Sequence, residues 1–227
     1  MSRQARPRWK VAVALPLLLC LTEFPPECTA KPIKQTRKYD VCMRLARISP
    51  DEGFESALAW ADAGGGGAAQ HCAAVALFSM GQARKAAIRF HKLAKTIEGN
   101  VAARSDLLAQ AGQSWHQAGE IDRAYTVYSA ALNLTPRAPE IRVDRAMVLA
   151  ERGRYAEAID DLNIALDVNA GLVEALVLRA SARRHLNALE LAFEDVSRAL
   201  SMSPSHPGAL LERGIIARLK GWPDNAR

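Results

Sequence analysis

Residues 105–138 read SDLLAQAGQSWHQAGEIDRAYTVYSAALNLTPRA, and residues 139–172 read PEIRVDRAMVLAERGRYAEAIDDLNIALDVNAGL. Laid one over the other, the two stretches keep the same small residues in phase at a spacing of 34. Gly119 is followed by Gly153, Asn187 and Gly221, and Ala124 by Ala158, Ala192 and Ala226. Gly112, Ala146, Ala180 and Gly214 form a third column; Ala131, Ala165, Ala199 and Leu132, Leu166, Leu200 form two more. A fixed period of this length marks a repeat architecture, in which each unit is one supersecondary element that buries its apolar face against its neighbours.

Each copy has the same internal order. A helix-periodic segment (105–118, 139–152, 173–186, 207–220) runs to a short turn, and a second one (120–134, 154–168) follows. Small side chains such as Gly112 or Ala146 opposite Ala124 or Ala158 allow two antiparallel helices to approach closely. Pro136 and Pro204 stop the second helices, because proline cannot continue one. Upstream, Gly81, Ala86, Phe90 and Leu93 suggest another unit, but Gly81 to Gly119 is 38 residues, which places four extra residues in the linker around Glu98–Val101. Further back, Ser49-Pro50-Asp51-Glu52 has the form of a capping box opening a helix through Ala63, with Tyr39–Arg47 as its partner helix. Gly64–Gly67 then breaks the chain.

The signposts Gly112, Trp115, Gly119, Ala124, Tyr128, Ala131 and Pro136 resemble the tetratricopeptide repeat family. The resemblance implies an all-α, right-handed α-solenoid of tetratricopeptide-like helix–turn–helix repeats and a role in protein–protein interaction. The resulting domain plan is degenerate N-terminal helical repeats over 39–104, then repeats 105–138, 139–172, 173–206 and a partial 207–227. Helix 207–220 would lack a partner, leaving Leu210, Ile215, Ile216 and Leu219 uncovered.

The first thirty residues stand apart. Arg3, Arg6, Arg8 and Lys10 precede an apolar run of eleven residues, Val11–Leu21, and Cys28-Thr29-Ala30 ends the stretch in small residues. That is the form of a secretory signal peptide over 1–30, cleaved after Ala30; eleven helical residues rise about 16 Å, too short for a permanent span. Residues 31–38 then read as a basic tether. Export predicts a periplasmic or secreted protein of the bacterial cell envelope with no transmembrane segment in the mature chain. In an oxidising compartment Cys42 and Cys72, thirty residues apart, read as a structural disulfide.

Composition excludes several classes. The 227 residues carry 30 Lys+Arg against 24 Asp+Glu, with 49% hydrophobic and 6% aromatic side chains, too apolar for disorder and too charged for a polytopic membrane protein. The basic residues read as spread along the chain among acids, which with export argues against nucleic acid. No phosphate loop, HExxH or GxSxG motif stands out, and His71, His91, His116, His185 and His206 are dispersed, so the expected protein is not an enzyme and has no cofactor or metal.

Two sets of residues follow from the repeat. Arg145, Arg179 and Arg213 recur at 34, as do Asp161 and Asp195, which suits an ion-pair ladder between first and second helices. The faces opposite the small-residue seam nominate Asp106, Gln113, His116, Gln117, Glu140, Met147, Glu151, Glu174, Ser181, Arg184 and His185 as partner-contacting, with Ile215 and Arg218 further on. This mixed polar surface departs from the basic, asparagine-containing clamp with which some members of the family hold C-terminal carboxylates. The expectation is a scaffold that binds a peptide or partner protein along its concave face. Two alternatives are a permanent assembly subunit docking through its C-terminal helix, and the accessory repeat region of a longer enzyme.

Overall fold

The computed structural model describes residues 30–222, with side chains from Arg37 onward, so the leader reading over 1–30 lies, but for Ala30, outside the described part. Eleven α-helices follow one another: α1 Ala30–Ile48, α2 Pro50–Trp60, α3 Gly66–Ser79, α4 Ala83–Thr96, α5 Val101–Gln117, α6 Ile121–Leu134, α7 Pro139–Glu151, α8 Tyr155–Val168, α9 Val173–His185, α10 Leu189–Met202 and α11 Pro207–Leu219. They pair as antiparallel hairpins stacked side by side into an α-solenoid, with no strand among the described residues. No described helix is long and apolar enough to cross a membrane.

The repeat is written most clearly in its turns. Gly81, Gly119, Gly153 and Gly221 adopt φ of 73°, 72°, 70° and 68°, and Asn187 takes the same role at 61°. A left-handed residue just past a helix lets the next amide reach back five residues. Gln82 N donates to Leu77 O, Glu120 N to Trp115 O, Arg154 N to Leu149 O, Ala188 N to Arg183 O and Trp222 N to Ala217 O, all at 2.9 Å. Five first helices therefore stop in one geometry, and asparagine can stand for glycine because its short polar side chain tolerates that region.

The N-terminal hairpin is built differently. Residues 31–38, expected as a tether, are the opening turns of α1, and Pro32 lies in the first turn, where a missing N–H costs nothing. The join to α2 is Ser49 alone, and its side chain makes no capping hydrogen bond, so the expected capping box does not form. Gly53 lets the two helices touch: a Cβ there would lie 2.5 Å from Ala46 N. α2 ends at Trp60, and within Ala61–Gly65 the backbone leaves helical geometry at Ala63 and Gly64; Gly64 and Gly66, at φ 84° and 54°, redirect the chain into α3.

The 38-residue spacing is resolved in helix rather than loop. The connection before α5 runs from Ile97 to Asn100, as long as Thr135–Ala138 before α7, while α5 has 17 residues and α7 has 13. The additional four residues form one more turn of α5, capped by Asn100, whose side chain accepts from Ala103 N at 2.9 Å.

The interior changes along the axis. Around α1–α3 it is Cys42, Ala46, Ala57, Trp60 and Cys72, tied by the Cys42–Cys72 disulfide at a Cα separation of 6.1 Å. From α3 to α7 it is aromatic, with Phe90, Trp115 and Tyr128. From α7 to α10 it is alanine and leucine. Gly112 lies against the Tyr128 ring: a Cβ at Gly112 would lie 2.7 Å from Tyr128 Cε1. At the far end Ile216 is fully buried, contrary to the expectation that it stays uncovered, whereas Leu210, Leu211 and Leu219 are 38%, 64% and 58% exposed. Phe193 and Trp222 meet edge to face at 4.6 Å and close part of that end.

Candidate functional site

Successive first helices touch one another from α5 to α7, α9 and α11, whereas successive second helices pack less closely. The first helices therefore line the inner, concave side. Of the residues nominated there, Asp106, Gln113, Gln117, Glu140, Glu151, Glu174 and His185 are exposed, and His116, Met147, Ser181 and Arg184 are half-buried.

Several of these side chains bind each other across helices. His116 Nε2 lies 2.6 Å from Glu151 Oε1, joining α5 to α7. Arg184 donates Nε and Nη2 to the Glu212 carboxylate at 2.7 and 3.1 Å, joining α9 to α11, and reaches Ser181 Oγ at 3.3 Å. The His185 ring stacks on Tyr155 at 4.4 Å, and Glu174 lies 3.5 Å from His206. Asp106, Gln113, Gln117 and Glu140 make no side-chain hydrogen bond or ion pair among the described residues. Between α5 and α7 burial raises the Asp144 carboxyl above its usual range against the pull of His116. Burial likewise pushes the Tyr128 hydroxyl upward, and Asp144 adds to it.

Near its N-terminal end the groove holds a feature that the repeat pattern does not announce. Tyr39 Oη and His71 Nδ1 are 2.8 Å apart, and His71 Nε2 and Gln110 Oε1 are 2.9 Å apart, so one polar chain crosses α1, α3 and α5. It floors a cavity of about 400 Å³ that Met43, Phe78 and Gln113 also line. Burial holds His71 below the ordinary imidazole range, opposed by the Gln110 bond. α1 has no glycine turn and sits outside the register, so nothing in the 34-residue ruler points to Tyr39.

The periodic charges lie between helices rather than in the groove. Arg145 donates Nε and Nη2 to Asp161 at 2.7 and 2.8 Å and Nη1 to Ser129 at 3.1 Å. One repeat on, Arg179 donates Nε and Nη2 to Asp195 at 2.9 and 2.6 Å and Nη1 to Asn163 at 2.7 Å. Each carboxylate takes a second guanidinium that the period does not supply: Arg142 at 2.5 Å on Asp161 and Arg183 at 2.7 Å on Asp195. Asp161 and Asp195 are 2% and 4% exposed, so these are buried triads. Hydrogen bonds from Arg145 to Asp161 raise the arginine further, while burial lowers Arg183 against the pull of Asp195. Arg213 forms no ion pair among the described residues, so it does not extend the ladder there.

The family model described as Tetratricopeptide repeat matches residues 111–172 and again 144–207. Residues 111–207 are thus similar to tetratricopeptide repeats. The five equivalent turns extend the same construction to α3 on one side and α11 on the other. Relatives include Protein unc-45 homolog B of Danio rerio, 31% identical over 104 residues (44% of this chain, 11% of the relative). Human RNA polymerase II-associated protein 3 is 28% identical over 120 residues (53% and 18%). The chain thus spans less than a fifth of the length of either relative. Among solved structures, the first tetratricopeptide domain of Spaghetti (RPAP3), bound to the HSP90 peptide SRMEEVD, is 26% identical with a TM-score of 0.50, over 52% of this chain and 93% of that one. YrrB, described as a tetratricopeptide protein with an unusual peptide-binding site, superposes with a TM-score of 0.63 at 18% identity, over 83% of this chain and 98% of that one, and shares the fold.

Proposed function

We propose that this chain is a non-enzymatic interaction scaffold that holds an extended peptide or partner-protein segment along its concave face. The observation that carries the reading is that α5 and α7 present Asp106, Gln113, Gln117 and Glu140 with no side-chain partner among the described residues, beside a preformed cavity of about 400 Å³. The peptide-bound Spaghetti domain, alike in fold and sequence over half of this chain, supports it. The setting that fits is the bacterial cell envelope, periplasmic or secreted. Support for that comes from the basic-then-apolar leader and from the Cys42–Cys72 bridge, which persists in an oxidising compartment.

The test is quantitative capture from an envelope fraction with the wild type and with Gln113→Glu/Met147→Glu, both on the groove. The expected result is a stoichiometric partner retained by the first and lost from the second. Equal recovery on both would remove the concave face from the reading. A second reading, permanent docking through α11, is favoured by the exposure of Leu211 and Leu219 at 64% and 58%. It requires a defined oligomer by light scattering, and a monodisperse monomer counts against it.

A further inference from the structure

Averaged over the chain the excess of positive charge is modest, 30 Lys+Arg against 24 Asp+Glu, but it is not evenly placed. Residues 31–104 carry 12 Lys+Arg against 6 Asp+Glu, whereas residues 105–227 carry 14 against 16, so the whole excess beyond the leader belongs to the first hairpins. This corrects the impression of evenly interspersed charge. Its centre is α4, ARKAAIRFHKLAKT, with five basic residues and no acid in 14. The helix turns Ala86, Ala87, Phe90, Leu93 and Ala94 into the core. On the opposite side Lys85, Ile88, Lys92 and Lys95 form a stripe at spacings of three, four and three, and all four are exposed, Ile88 at 54%.

Of the five α4 cations, four have no acidic partner among the described residues. Arg84 pairs with Glu120. Lys85 donates to Gln82 at 2.8 Å and Arg89 to Gln70 at 3.2 Å, with the Arg89 guanidinium 5.4 Å from the Phe54 ring centroid. Among the described residues Lys85, Arg89, Lys92 and Lys95 form no ion pair. Two grooves flank the stripe. One, of about 610 Å³, has Phe54, Leu77 and Met80 in its lining, with Glu55 as the acid beside it. The other, of about 590 Å³, runs past Gly67, Gln70 and Leu93. Ile88 and Arg89 border both.

We infer that the outer face of α4 is a second docking surface, separate from the concave groove, whose occupant is an acidic segment of another protein with interspersed apolar side chains. Its carboxylates meet Lys85, Arg89, Lys92 and Lys95, and its apolar side chains enter the two grooves beside Ile88. A predominantly basic rim, with Glu55 as the acid among the residues lining the two grooves, together with an apolar lining gives such a segment both steering and a seat. A bilayer fits less well: the apolar side of α4 is already spent in the core, Ile88 is the single apolar residue on the stripe, and both grooves would face the lipid empty. Nucleic acid would use the cations but leave the apolar lining without a role.

The experiment is selection of a random displayed peptide library on the full chain and, in parallel, on Lys85→Glu/Lys92→Glu/Lys95→Glu, with circular dichroism confirming that both are folded. The expected result is wild-type clones rich in Asp and Glu with apolar residues between them, their affinity falling about ten-fold or more on the charge-reversed variant and with added salt. Ile88→Gln, which keeps the charge and removes the apolar ridge, is expected to weaken the same clones, while the groove variant Gln113→Glu/Met147→Glu binds them unchanged. Enrichment of the same clones on both chains, or of clones without acids, would overturn the inference. So would stripe-dependent binding of phosphatidylglycerol vesicles or a single-stranded oligonucleotide tighter than that of the best peptide.

Discussion

In the hairpin α5–α6 three positions that face one another are Leu108, Ala111 and Val127, all apolar and buried. In the hairpin α7–α8 the same three repeat positions are Arg142, Arg145 and Asp161, joined in a buried triad. The backbone around them does not change: both hairpins end their first helix in the same left-handed turn and begin the second two residues later. A neighbouring seam shows the same exchange in size. Gly112 lies against Tyr128, while the equivalent positions are Ala146 with Leu162 and Ala180 with Val196. Turn and spacing fix the hairpin; what fills the seam is a set of matched substitutions, apolar or ionic, bulky or slim, that are interchangeable as sets and not one at a time.

The sharpest way to break that comparison is Asp161→Ala. It strands two half-buried guanidiniums, and removing one side of a buried ion pair costs about 3–5 kcal/mol. A urea melt should show a loss of that size, and an unchanged midpoint would refute the triad. Importing the set from the other hairpin, Arg142→Leu/Arg145→Ala/Asp161→Val, should return most of the loss, since apolar replacements of whole buried ion pairs are often neutral or stabilising.

The N-terminal hairpins depend on a different tie. The disulfide closes a loop with a sequence separation of 30, for which chain entropy gives about 3–4 kcal/mol. Because each solenoid unit contacts mainly its neighbours, Cys42→Ser/Cys72→Ser should cost most of that locally. Hydrogen exchange is the measurement: protection of α1–α3 should fall while α7–α10 keeps its own, and a uniform fall would mean that the two regions unfold as one.

Gly112→Ala carries a smaller effect. Its Cβ would press on the Tyr128 ring, an overpacking cost of about 1–3 kcal/mol. Adding Tyr128→Leu reproduces the Ala146–Leu162 match and should recover stability in a thermal melt. Failure to recover would mean that the seam is set by something other than this pair.

How far each feature was legible follows from the same contrast. Gly119, Gly153, Asn187 and Gly221 announce the turns because only residues that tolerate positive φ serve there. Arg145, Asp161, Arg179 and Asp195 announce themselves by recurrence, but Arg142 and Arg183 come from different columns, and a period cannot reveal what it does not repeat. The extra turn of α5 was hidden because a helix and a linker both absorb four residues, and Asn100 alone decides between them. The basic α4 was hidden in a whole-chain average. On the groove, sequence spacing nominates a face, but which of its residues are held by one another, as His116 by Glu151 and Arg184 by Glu212, depends on how far successive hairpins rotate.

The smallest predicted effect separates the two regions by pH. Gln110 Nε2 donates to Asp106 O at 3.3 Å, which leaves its Oε1 to accept from His71 Nε2–H; His71 Nδ1 must then accept from the Tyr39 hydroxyl, so the chain is complete with a neutral imidazole. Burial favours that form and lowers the folded pKa below the unfolded value of about 6.5. Below that value the unfolded chain binds the proton more readily than the folded one, so stability is fully present above about pH 6.5 and is lost as pH falls toward the lower folded value. His91, also lowered by burial and by Lys95, acts in the same direction from α4. Urea melts at neutral and mildly acidic pH, followed by the fluorescence of Trp60 and Trp115, should therefore show the first hairpins weakening with acid, and His71→Gln should flatten the trend. If His71→Gln keeps the wild-type slope, the acid sensitivity of this end comes from His91 or from elsewhere, and the polar chain across α1, α3 and α5 is held together without regard to the charge on His71.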